Sequence, residues 1–128
     1  MSKETRNYSS KVVESSRELT IKERISLKDT SDAVKLDTAT SDTPLLIYPE
    51  LWAEIAVHNE KSDDKDYKQY VVVDKDGTKY VTGSYSFWTA FTDIADDMCG
   101  EDEKWGVKVY KLPSKNFAGR DFITCSIV

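Results

Sequence analysis

The chain is poor in the residues that carry most protein chemistry. It holds one histidine, His58, and two cysteines, Cys99 and Cys125, among 128 residues. Any Ser–His or Cys–His nucleophile pair would have to use His58, and no convergent partner set accompanies it. The expectation is therefore no catalytic residue and no enzyme activity. The two cysteines make neither a metal-ligand spacing nor a disulfide framework and read as reduced, buried thiols. Long hydrophobic runs are missing as well: nothing approaches the roughly 18–20 apolar residues of a membrane span. The N-terminus MSKETRNYSS has no apolar signal-peptide core. A cytoplasmic protein with no membrane partner is expected.

Charge is what the chain has in quantity. With 32% charged and 39% hydrophobic residues it fits one soluble globular domain. The charge is unevenly spread. Residues 1–30 carry seven Lys/Arg against five Asp/Glu, residues 31–103 six against seventeen, and residues 104–128 five against one. The acidic total of −5 argues against nucleic-acid binding, where phosphate neutralisation dominates affinity. The two basic ends soften that objection, because local potential matters more than the sum.

Acidic clusters give no metal site. Asp63, Asp64 and Asp66 lack a ligand spacing and read as a solvated loop. Asp74-Lys75-Asp76-Gly77 begins like a calcium loop, but no Glu follows in register and strands flank it, so it reads as a hairpin turn. Neither metal nor cofactor is expected.

Residues 1–17 are polar and aperiodic and read as a mobile arm ahead of a single domain over 18–128. Residues 18–30 are ambiguous between strand and helix, and Asp32 to Thr40 reads as a short extended piece. Leu51 to His58 alternates Leu51, Ala53, Ile55 and Val57 against Trp52, Glu54, Ala56 and His58, the pattern of a half-buried strand. Tyr67 to Val73 and Lys79 to Thr82 follow as a hairpin. Ser84 to Met98 is an amphipathic helix: Phe87, Trp88, Phe91, Ile94, Ala95 and Met98 share a stripe, Ser84 stands at the N-cap and Gly100 beyond the last turn. Trp105 to Lys111 and Asp121 to Val128 close as two strands around a loop from Pro113 to Gly119. Five strands with one helix between the third and fourth is the order of an OB-fold. The fold class expected is mainly β: an OB-like five-stranded barrel over about 45–128, with an N-terminal extension.

If Leu51, Ala53, Ile55 and Val57 face inward with Val71, Val73, Val107 and Val109, the other face carries Trp52, Tyr70 and Tyr110. Alternation leaves open whether Tyr80 or Lys79 joins them. Lys68, Lys79, Lys108 and Lys111 lie nearby in the sequence pattern. Aromatic platforms among cations suit single-stranded nucleic acid, since every base has a π-face. Packing against the N-terminal segment is the plainer use of strand tyrosines. The loop 111–120 is the second candidate, with Lys115 and Arg120 for phosphates and Phe117 for a base; a solvated hairpin loop weighs equally.

Asp76-Gly77-Thr78-x-Tyr80, the helix, Val107-Lys108-Val109, Ser114-Lys115 with Gly119, and a terminal strand resemble the single-stranded DNA-binding proteins of small protein-primed phages of Gram-positive bacteria. Val34-Lys35-Leu36-Asp37-x-Ala39-Thr40 matches their N-terminal portion, so the likeness covers about 33–128. The resemblance implies non-catalytic, sequence-tolerant coating of displaced strands during phage replication in the host cytoplasm. Homo-oligomers and host or phage replication proteins are further partners it leaves open. Binding should weaken only modestly with salt, because few phosphates are neutralised. The alternative is a phage-encoded inhibitor or adaptor that engages a host enzyme through the acidic central segment.

Overall fold

The computed structural model describes residues 8–40, 43–61, 63, 65–98, 105–113 and 121–128. The alternating stretch after Leu51 forms the spine of the molecule, strand β4 (Pro49–Asn59), in which buried and half-exposed residues alternate almost throughout. In chain order the elements before it are β1 (Tyr8–Ser15), α1 (Ile21–Lys28), β2 (Val34–Lys35), α2 (Leu36–Ala39) and β3 (Leu45–Ile47). After it come β5 (Asp66–Asp74), β6 (Lys79–Thr82), α3 (Tyr85–Met98), β7 (Val107–Pro113) and β8 (Asp121–Ile127). The protein is mainly β. Its strands form two sheets, β1-β4-β5-β6-β2 and β3-β7-β8, and neither closes into a barrel.

Local chemistry accounts for the joints. The β5–β6 hairpin turns at Gly77, whose φ of 92° disfavours any residue with a Cβ. The Asp74 and Asp76 carboxylates accept from the amides two residues on, at 3.2 and 2.8 Å, which holds the turn. The Ser84 hydroxyl accepts from the Phe87 amide at 3.2 Å and caps α3. At Gly106 a Cβ would come within 2.7 Å of the Tyr48 ring and 3.1 Å of the Ile47 carbonyl, so the chain enters β7 through a residue without one.

The N-terminal third departs from expectation. Residues 8–15, read as part of a loose arm, are a strand that pairs antiparallel with β4 from Tyr8 opposite Asn59 to Ser15 opposite Ala53, with an irregularity between Val12 and Glu14. Residues 1–7 of that arm lie outside the described residues. The ambiguous 18–30 segment is helical because Thr20 and Glu23 make a reciprocal capping box, Thr20 accepting from the Glu23 amide and Glu23 from the Thr20 amide. The extended piece expected over 32–40 is a two-residue parallel strand beside β6 followed by a single helical turn.

The largest correction concerns which face of the long sheet is inside. The aliphatic face of Leu51, Ala53, Ile55, Val57, Val71 and Val81 is covered by Leu19 and Leu27 from the α1 region, with Val12 and Ala33 alongside. The opposite face, with Trp52, Tyr70, Val72 and Tyr80, packs on α3 and on Ile47, Val107, Val109, Ile123 and Cys125 of the second sheet. The long sheet is thus buried on both sides through its middle. Consecutive apolar residues at Tyr70-Val71-Val72-Val73 carry the signature of such a strand. The aromatic core is interlocked: Trp52 meets Phe91 edge-on at 5.2 Å, and Trp88 stacks on Tyr70 at 4.8 Å. Each fully buried side chain of this size contributes about 1.5–3 kcal/mol against exposure.

Candidate nucleic-acid interface

Both faces of the five-stranded sheet being largely covered, Trp52, Tyr70 and Tyr80 do not form the exposed aromatic row that was expected. Tyr70 is 4% and Tyr80 9% exposed, and burial pushes both phenols above their ordinary pKa. Trp52 is half-buried against Phe91 and Trp105. The associated lysines are also employed elsewhere. Lys79 lies on the aliphatic face, where its ammonium donates to the carbonyls of Ser26 at 2.6 Å and Asp29 at 2.7 Å and closes the C-terminal end of α1. Lys68 donates to Glu54 at 2.6 Å, which holds its pKa above the usual lysine value.

The short sheet is different. Its inner face, Ile47, Val107, Val109, Ile123 and Cys125, is core. Its outer face has no covering element among the described residues and carries Leu46, Lys108, Leu112 and Phe122, which are exposed, with Tyr110, Thr124 and Ser126 half-buried. Antiparallel register places Tyr110 opposite Thr124 and Leu112 opposite Phe122, with Lys108 between Leu46 and Ser126. Two of the expected site residues therefore meet here. The Lys108 ammonium sits 5.7 Å from the centre of the Tyr110 ring, and the Tyr110 hydroxyl bonds to Ser126 Oγ at 2.7 Å. The first contact is a cation–π pair and the second fixes the ring. Tyr110 and Phe122 are diagonal cross-strand neighbours, a relation that separates residues by about 7–8 Å. That spacing lets each ring present a separate surface. Among the described residues no acidic residue belongs to this face.

Lys111 is half-buried, with the inward register of Val107 and Val109 rather than the outward register of Lys108. Lys115, Phe117 and Arg120 lie outside the described residues; their segment joins Pro113 of β7 to Asp121 of β8, at the Leu112–Phe122 end of the face. Phe122, Leu112 and Leu46 were not anticipated. The signal was available in the last strand, where Phe122, Thr124 and Ser126 alternate with Ile123 and Cys125.

Among the described residues the reactive groups are occupied or silenced; Cys99, read as a buried thiol, lies outside them. His58 bonds through Nδ1 to Asp66 and through Nε2 to Glu60, each at 2.8 Å, and the Asp66 bond chiefly raises its pKa. Burial pushes the Cys125 thiol up to about 12, so no thiolate forms there. Among the described residues no cluster of three His, Cys, Asp or Glu could hold a metal ion. None of their helices is long and apolar enough to cross a membrane. No family model, curated protein or solved structure matches the chain.

Proposed function

We propose that the protein binds single-stranded DNA, without catalysis and without strong sequence preference, on the open face of β3-β7-β8. The observation that carries this is the pairing of Lys108 over Tyr110 beside exposed Phe122, an aromatic and cationic surface with no acidic member among the described residues. The rings would stack on bases and the ammonium would meet a phosphate. In sequence, the 111–120 stretch that follows Tyr110 is basic, with Lys111, Lys115 and Arg120 and no acidic residue. The order of meander, α3 and β7–β8 hairpin supports an OB-like arrangement in which the two sheets stay separate. The resemblance to phage proteins supports displaced replication strands, in a bacterial cytoplasm, as the natural ligand.

Fluorescence anisotropy of a labelled oligo(dT) tests the proposal. Saturable binding is expected. Tyr110→Ala combined with Phe122→Ala should weaken it by about 1–3 kcal/mol per lost stacking platform, or roughly 5- to 150-fold for one. The salt slope should stay shallow, about −0.7 per phosphate neutralised. An unaltered affinity in the double variant would remove the site.

A further inference from the structure

The helix α3 leans toward the short sheet: it packs mainly on β8, and the Ser86 hydroxyl donates to the Ile123 carbonyl at 2.8 Å. On its other flank, beyond the Trp52–Phe91 contact, a gap opens toward β1 and β4. The gap is a groove of about 900 Å³. All three tryptophans of the chain line it, with Glu14, Glu54 and Asp96.

The walls are set before anything enters. Trp88 is stacked on Tyr70 and Phe91, and Trp52 meets Trp105 edge-on at 5.9 Å. Rings held this way lose little freedom on binding. The charge is one-sided. Glu14 and Glu54 stand directly opposite across the β1–β4 ladder, where like charges destabilise a sheet. Lys68 is bonded to Glu54 and feels Glu14, but one lysine does not balance three carboxylates. No Lys or Arg lines the groove among the described residues. Tryptophan faces attract cations more strongly than other rings do, and desolvation strengthens that attraction. A phosphate backbone would be repelled.

From this we infer that the groove binds a basic segment of a protein partner, with an arginine or lysine side chain seated among the tryptophans. A peptide fits better than a small organic cation because the volume lies at the upper end of small-molecule sites, about 300–1,000 Å³. The groove also runs beside β1, the edge strand of its sheet, whose unpaired backbone groups suit an extended chain. The site is separate from the open face of β3-β7-β8 and stands or falls independently of it.

Tryptophan emission reads the groove directly, because every tryptophan lines it. The probe is a glycine–serine peptide carrying several arginines, with a glutamate-for-arginine peptide as control. A saturable emission change with the arginine peptide is expected. Glu14→Gln with Asp96→Asn should weaken it by at least about tenfold. Both residues are exposed, so neutralising them leaves the fold intact. The charge-matched pair Asp32→Asn with Asp63→Asn, and Lys108→Ala, should leave it unchanged. Three results overturn the inference: no saturable change, equal weakening by both acidic pairs, or the same emission change with the glutamate peptide or oligo(dT).

Discussion

The two sheets of this protein are built from similar residues and put them to opposite use. In β1-β4-β5-β6-β2 the tyrosines and Trp52 are locked against α3, and the aliphatic face lies under Leu19 and Leu27. In β3-β7-β8 only one face is core; on the other, Leu112 and Phe122 are exposed and Tyr110 is half-buried. An aromatic residue on a strand therefore says little by itself. What separates structural from binding aromatics is whether another element covers that face.

The contrast is broken most readily from its buried side. Phe91 is fully buried and touches Trp52, Phe87, Trp88 and Trp105. Phe91→Ala is expected to cost about 3–5 kcal/mol in a urea titration. Tyr110→Ala, on the open face, should cost less, about 1–2 kcal/mol by the same measurement, since Tyr110 is half-buried and loses one hydroxyl bond and the Lys108 contact. Equal losses would mean that the short sheet is covered after all.

These differences explain which parts of the fold were legible. The elements from β4 to β6 and α3 could be read because period-two alternation and a helical stripe are local patterns. The side of the sheet facing the core could not. Alternation divides a strand into two faces without saying what lies over each, and the Leu51-Ala53-Ile55-Val57 face looked like the only buried one. Its cover was hidden in a segment whose pattern was mixed, where the Thr20-x-x-Glu23 box was the readable clue to a helix. Of the expected site, Lys108 and Tyr110 come together because they sit two apart on one strand. Tyr70 and Tyr80 are buried and Trp52 half-buried, because tertiary packing claimed them.

The smallest effect sharpens the contrast at the polar end of the long sheet. His58 stands opposite Asp66 on β5, beyond the reach of α3. Its folded pKa is raised above the ordinary 6.5, chiefly by Asp66. The stabilisation is therefore complete below the unfolded pKa and is lost as pH rises through the higher folded value. The thermal midpoint should fall slightly between about pH 6 and about pH 8, and His58→Ala should abolish that slope. A slope retained in the variant would place the titration elsewhere.

On the proposal made above, the open face of β3-β7-β8 takes the nucleic acid while the long sheet serves as scaffold. Amide chemical-shift mapping on titration with oligo(dT) reads this residue by residue. The predicted result is that shifts concentrate at Leu46, Lys108, Tyr110, Leu112, Phe122 and Thr124, with Tyr70, Val72 and Tyr80 unmoved. Shifts confined to the surroundings of Trp52 and Tyr70, or no shifts at saturating oligonucleotide, would contradict it.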